Sequence, residues 1–278
     1  TVSLSGDAGD ELFCGYNRYQ MTARLWGKIA AVPVPLRTLV AKGLTGVAPQ
    51  MWNRMADGIR KVLPGALPFV NLGDKLHMGG GALASKSCDD LYLKLVSHWH
   101  DPASVVIGGH EPATLLTGSV PELAGVDQVQ RMMALDLLTY LPDDILTKVD
   151  RAAMGVSLES RVPFLDHRVV EFAWSLPQSM KLRDGQTKWV LREVLYRHVP
   201  KALIERPKMG FGVPIGTWLR GPLRDWAEAL LDESRLRQEG FFHPAPVRKL
   251  WHEHLSEERN WEHHLWSILM FNMWLENQ

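Results

Sequence analysis

TVSLSGDAGDELFCGY, residues 1–16, is the stretch whose reading decides the fold. Residues 1–4 read as a short buried strand, the only one the sequence predicts with its pattern intact. It begins at residue 1 with no preceding turn, which points to further residues upstream. Ser5, Gly6, Asp7, Ala8 and Gly9 form a loop. A helix is expected from about Asp10 to Ala31, with Phe13, Tyr16, Ala23, Trp26 and Ile29 at three- and four-residue steps and with Pro33 and Pro35 ending it.

A strand, a small-residue loop and a helix start can place a phosphate, because the first backbone N–H groups of a helix are unpaired and partly positive. Asp7, Asp10 and Glu11 crowd the same helix start and would repel a bare phosphate. A divalent cation removes the conflict, since Mg2+ takes oxygens from carboxylates and phosphates together. The competing reading is that these acids only cap the helix and complement its dipole, each by roughly 0.3–1 kcal/mol.

Outward from this stretch, the chain reads as one mostly helical unit without repeats or linkers. Residues 36–75 look like short helices broken by Pro49, Pro64 and Pro68, and 79–81 (GGG) like a flexible joint. Helical pieces are expected near 87–100 and 111–117. A helix is expected over 126–140, broken by Pro142, and another capped by Asp143 or Asp144. Asp166 should cap a further helix, 187–198 is helical, Pro222 marks a helix start, and 261–274 is a final helix with Trp261, Leu265, Ile268 and Leu269 facing the core.

Three other segments carry candidate chemistry. Residues 141–166 interleave Asp143, Asp144, Lys148, Asp150, Arg151, Glu159, Arg161 and Asp166 with apolar side chains. Charges set among residues that want burial must be paired, so a structural ion-pair network competes with a ligand site. Residues 205–212 (ERPKMGFG) form a loop from which Lys208 could meet a developing negative charge; the alternative is a solvated surface lysine. Lys188 and Arg192, four apart on a helix, could face one ligand. Cys14 and Cys88 read as small core residues, and His252, His254, His263 and His264 as helix surface.

The 278 residues are 46% hydrophobic and 22% charged, ordinary for a globular chain. Lys plus Arg and Asp plus Glu are 31 each, which leaves no footprint for nucleic acid or an anionic membrane. Two cysteines cannot make a disulfide framework, and together with the missing signal peptide and apolar span they predict a cytoplasmic location.

Five pieces together resemble the synthetase domain of the asparagine synthetase B family: SGDAGDELFCGY at 5–16, LPDDILTKVDRAAM at 141–154, SLESRVPFLD at 157–166, KWVLR at 188–192 and RPKMGF at 206–211. They follow the family's order along the whole chain. The resemblance implies the helical C-terminal portion of an α/β PP-loop ATP-pyrophosphatase domain (Rossmann-like), mostly α, with one N-terminal strand. It implies ATP and Mg2+ as cofactors and adenylation of the aspartate side chain with release of pyrophosphate. Ammonia, made from glutamine by a separate N-terminal glutaminase domain, then displaces AMP. A homodimer of the full-length parent is compatible with it.

Matched position by position, Ser5 and Gly6 fall near the nucleotide, with Lys188 on the ATP and pyrophosphate side. Asp10 falls on the acid that binds Mg2+-pyrophosphate, Asp7 on the acid used in forming the acyl-adenylate, and Lys208 on the lysine that stabilises the leaving phosphate. Lys148, Asp150, Arg151, Glu159 and Arg161 line the acceptor side. Asp7 departs from the commoner Glu and Cys14 from the usual Gly. The family's SGGxDS loop and the glutaminase cysteine have no match in residues 1–278, so the chain is expected to hold about half an active site and to be inactive alone. The alternatives are an amidotransferase for another carboxylate, such as a sugar uronic acid, and a non-catalytic helical interaction domain.

Overall fold

A computed structural model describes residues 1–62, 72–118, 123–205 and 212–278. In chain order the elements are β1 (Val2–Leu4), α1 (Gly9–Leu12), α2 (Asn17–Ile29), α3 (Val34–Thr45), α4 (Pro49–Val62), α5 (Leu72–Leu83), α6 (Cys88–Val96), α7 (Gln128–Leu138), α8 (Thr147–Met154), β2 (Glu159–Arg161), α9 (His167–Ser175), α10 (Gln178–Lys181), β3 (Leu182–Arg183), β4 (Gln186–Thr187), α11 (Trp189–Leu195), α12 (Lys201–Ile204), α13 (Ile215–Arg220), α14 (Arg224–Leu230), α15 (Glu233–Glu239), α16 (Pro244–Leu255) and α17 (Glu262–Glu276). The protein is thus mostly helical, as expected. No helix of the described residues is long and apolar enough to cross a membrane.

The chain groups into two compact units where composition had suggested one. The first comprises Thr1–Lys42, Gly80–Leu95 and Ala113–Lys208; the second comprises Gly43–Gly79, Val96–Pro112 and Met209–Gln278. In the first unit β1 does not stand alone. It pairs in parallel with β2, with Val2, Ser3 and Leu4 opposite Glu159, Ser160 and Arg161. The core beside this pair is Ala8, Leu12, Phe13, Leu141 and Ala173, with Phe164 and Ile145 packed on it. The second unit is built around Trp251, Leu265, Ile268 and Leu269; the last three lie at the expected 3–4 spacing on α17.

Several expectations are corrected. The single helix from Asp10 to Ala31 is two helices, α1 and α2, parted by a break at residues 13–16 where Cys14 adopts φ +56°. An L-residue in that region closes a helix rather than continuing it. Pro33 and Pro35 flank the start of α3, and Pro49 opens α4; at the first helical turn a missing N–H costs nothing. Pro64 and Pro68 lie outside the described residues. Gly79, Gly80 and Gly81 are not a joint but lie within α5. Residues 111–114 carry no regular structure and 115–117 form a turn, so no helix is found there.

The helix expected over 126–140 is α7. Its cap is a reciprocal box: Asp127 accepts from the Gln130 N–H at 2.8 Å, and the Gln130 side chain accepts from the Asp127 N–H at 3.0 Å. α7 ends at Leu138, before Pro142 as expected, but neither Asp143 nor Asp144 caps the next helix. Residues Leu141–Leu146 form a π-turn that runs directly into α8. Asp166 caps α9 as expected, accepting from the Arg168 N–H at 2.9 Å. His254 is not surface: it is buried and accepts from the Trp261 N–H at 3.2 Å.

Candidate active site

The loop of residues 5–8 leaves β1 beside β2, where the Ser5 N–H donates to the Arg161 carbonyl at 2.8 Å. Two of the five motif segments, far apart in sequence, are therefore joined by backbone. Ser5 Oγ donates to Asp7 Oδ2. Ala8 turns the chain with φ +65° and starts α1.

The three acids at this helix start separate. Asp7 faces Ser5. Asp10 Oδ2 meets Lys188 Nζ at 3.0 Å, both side chains about one quarter exposed. Glu11 is buried and accepts from the Tyr16 hydroxyl at 2.9 Å. Burial pushes the Glu11 carboxyl above its ordinary value, opposed by its own backbone N–H and by Tyr16. Glu11 thus belongs to the core, and the crowding of three carboxylates falls to two. The N-cap position of α1 is Ala8, whose side chain makes no capping hydrogen bond, while the Glu11 carboxylate takes its own first-turn N–H.

Lys188 comes from a segment distant in sequence. Residues 182–187 make a two-stranded antiparallel hairpin, β3 and β4, turned by Asp184 (φ +50°) and Gly185 (φ +80°). Lys188 then takes φ +55°, its N–H donates to the Phe13 carbonyl at 3.1 Å, and α11 begins. That kink aims its side chain at Asp10. Arg192 turns elsewhere, to the Thr187 carbonyl (2.9 Å) and Glu205 (2.7 Å). Burial aside, Tyr196 and Glu205 beside it hold the Arg192 guanidinium above its ordinary value. The four-residue spacing of Lys188 and Arg192 therefore does not make a shared face.

The acidic and basic run of 141–161 is on the surface. Lys148 pairs with Asp144 at 2.9 Å and Arg161 with Glu159 at 2.8 Å, and all four are largely exposed. Asp150 and Arg151 are exposed on α8. Exposed pairs of this kind contribute about 0–1 kcal/mol, so the buried ion-pair network is not found. The surrounding apolar side chains are open as well: Met154, Val156, Val2 and Leu4 are 53%, 76%, 51% and 75% exposed. Lys208 lies outside the described residues.

Beneath the site is a buried knot. Asp136 of α7 accepts from Arg18 Nη2 (2.5 Å), the Tyr19 hydroxyl (2.5 Å) and the Tyr92 hydroxyl. The Arg18 guanidinium lies over the Tyr16 and Tyr140 rings, 4.1 and 4.7 Å from their centroids. Burial, and then the Asp136 charge, raise the Tyr19 and Tyr92 hydroxyls above the ordinary range. Tyr16 joins this knot to Glu11, hence to the loop. The sequence reading placed Asp136 on α7 but gave it no partner; a lone acid at a core-facing position of a helix was the available signal.

As to a cation, no cluster of three or more His, Cys, Asp or Glu among the described residues is arranged to hold one by itself. Mg2+ in phosphate chemistry needs only one or two carboxylates beside phosphate oxygens and water. Asp10, about one quarter exposed at the start of α1, is one carboxylate of that kind, with one oxygen held by Lys188 at 3.0 Å.

The family model described as asparagine synthase matches residues 1–276. Asparagine synthetase [glutamine-hydrolyzing] 1 of Bacillus subtilis is 28% identical over 99% of this chain and 40% of its own length. A putative asparagine synthetase [glutamine-hydrolyzing] of Mycobacterium bovis is 35% identical over 98% of this chain and 39% of its length. The rat asparagine synthetase [glutamine-hydrolyzing] is 30% identical over 44% of this chain and 24% of its own. The chain spans about two fifths of the length of the first two relatives. No solved structure matches it.

Proposed function

The chain belongs to the asparagine synthase family, and on that premise we propose that it is part of an ATP-dependent ligase that amidates aspartate through a β-aspartyl-AMP intermediate. The observation that carries the reading is the Asp10–Lys188 pair at 3.0 Å, set where a strand passes through a small-residue loop into a helix. Attack of the substrate carboxylate on the α-phosphorus expels pyrophosphate, and negative charge grows on the leaving oxygens. An ammonium group, and a cation that a carboxylate would hold, are the groups that would stabilise that charge. Asp10 would hold Mg2+, which when bound neutralises phosphate charge. Lys188 would bind phosphate, and Ser5 and Gly6 would border the nucleotide. Asp7 would act in forming the acyl-adenylate, and Lys208 would join Lys188 at the leaving group. The exposed face of Lys148, Asp150, Arg151, Glu159 and Arg161 would meet the acceptor.

The β1–β2 pair supports an α/β PP-loop fold for the parent. Parallel strands are ordinarily covered on both faces, and here Val2 and Leu4 remain open. The rest of the parent, extending the parallel sheet at its edge with the strand that carries the SGGxDS loop and laying its helices on the open face, would cover them. Ammonia would come from glutamine at a glutaminase domain of that parent, which we place in the cytoplasm. Asp7, in place of the commoner Glu, favours a second reading in which the same chemistry serves another carboxylate, such as a uronic acid.

The test is a product assay with ATP, Mg2+, ammonia and either aspartate or a uronic acid. The full-length parent should form asparagine, AMP and pyrophosphate, and Lys188→Ala should abolish this. The isolated chain should form none. Turnover by the isolated chain, or ADP as the product, would overturn the reading; uronic acid amidation would select the second.

A further inference from the structure

Lys188 reaches Asp10 between two glycines. On one side a Cβ at Gly9 would stand 3.8 Å from Lys188 Nζ and 3.3 Å from the Phe164 ring. On the other, a Cβ at Gly15 would overlap both Asp10 Oδ1 and Lys188 Cε. Gly15 is buried and does not take a positive φ, so its backbone would accept alanine. What it lacks room for is the side chain. The backbone on both sides is already fixed: the Gly15 N–H donates to the Asp10 carbonyl at 2.7 Å and the Lys188 N–H to the Phe13 carbonyl at 3.1 Å.

We propose that Gly15 is a positioning residue of the Mg2+-pyrophosphate site, which rests on the function proposed above. Its missing side chain is the slot through which Lys188 comes to stand on Asp10. The carboxylate for the cation and the ammonium for the phosphate are thereby delivered as one assembled pair. All three atoms that a Gly15 side chain would strike, Asp10 Oδ1, Asp10 Cγ and Lys188 Cε, belong to side chains and not to backbone. Alanine there displaces the pair and leaves the fold standing.

Two measurements test this on the full chain. The first is a double-mutant cycle of Asp10→Asn and Lys188→Met by urea unfolding, which reads the pair without any ligand. The two changes should be coupled with Gly15 present and independent in the Gly15→Ala background. The second is calorimetry with Mg2+-pyrophosphate at a temperature where every variant is folded. Gly15→Ala should weaken binding by about tenfold, the loss of one charge-assisted contact, and Gly15→Ala with Lys188→Met should bind no more weakly than Lys188→Met alone. Coupling that survives in Gly15→Ala overturns the slot, as does unchanged pyrophosphate affinity. Coupling abolished by Gly15→Ala in a full-length parent that binds no Mg2+-pyrophosphate upholds the slot and sinks the function instead.

Discussion

Replacing Asp136 by alanine should unsettle the first unit more than any change in the candidate site itself. Asp136 is 2% exposed, and its carboxylate accepts from one guanidinium and two tyrosine hydroxyls. Removing it leaves Arg18, whose side chain is 24% exposed, without its anion over two aromatic rings. Breaking a buried pair by deleting one partner costs about 3–5 kcal/mol. Each hydroxyl bond to a charged group adds roughly 1.5–3 kcal/mol if counted alone, but the three share one acceptor and do not sum. A loss of about 4 kcal/mol is expected, and at roughly 2–4 °C per kcal/mol this lowers Tm by about 8–16 °C. Asp136→Asn keeps an acceptor but not the charge and should cost about half as much. The double variant Asp136→Leu with Arg18→Met leaves no unpaired charge and should recover part of the loss. Urea unfolding followed by far-ultraviolet circular dichroism measures all three. An Asp136→Ala cost below about 1 kcal/mol would refute the view that this knot anchors α2 beneath the loop.

Three further outcomes follow from other parts of the fold. Gly79→Ala, inside α5 with open space around it, should stabilise the chain by about 0.5–1 kcal/mol. Gly73→Ala on the same helix should destabilise it, because its Cβ meets the Pro49 backbone; equal effects on chemical denaturation would contradict the helix. Burial lifts the Cys14 and Cys88 thiols from 9.0 to about 11, which cuts the thiolate fraction at neutral pH about 100-fold. Labelling with an aromatic disulfide should therefore be slow until urea is added, and prompt labelling of the native chain would show otherwise. His264 sits against the Trp99 and Trp261 rings beside His98. Burial, and then the nearby His98, lower its pKa from 6.5 to about 4. A depressed histidine favours folding while neutral, so its contribution is full above about pH 6.5 and is lost as pH falls toward 4. The melting temperature should drop across that window, less steeply in His264→Leu; identical slopes would remove His264 from the cause.

The strand and the loop were legible because each rests on local chemistry, but the strand expected to be buried has Val2 and Leu4 exposed. Small residues, acids at a helix start and ordered motifs can be read without tertiary contacts. What was not legible depends on long-range pairing or on one dihedral. The break between α1 and α2 turns on φ at Cys14, where the apolar steps from Phe13 to Ile29 run straight through. Strand β2 is three residues long, and only its pairing with β1 makes it a strand. Glu11 and Asp10 are adjacent acids in the sequence, yet one side chain enters the core and the other meets Lys188. The Lys188–Arg192 spacing misled because Lys188 lies just before α11, in a left-handed turn that a helical wheel does not include. The run of 141–161 was read as half-buried because its apolar neighbours looked like core, whereas Met154 and Val156 are open.

The most direct measurement of the central claim is calorimetric titration of Mg2+ and pyrophosphate together into the chain and into Asp10→Ala. Saturable heat that requires the metal, disappears in Asp10→Ala and falls about tenfold in affinity in Lys188→Ala is the predicted result. Metal-independent heat, or binding that survives intact in Asp10→Ala, would mean that the residue 5–11 loop does not hold the phosphate site.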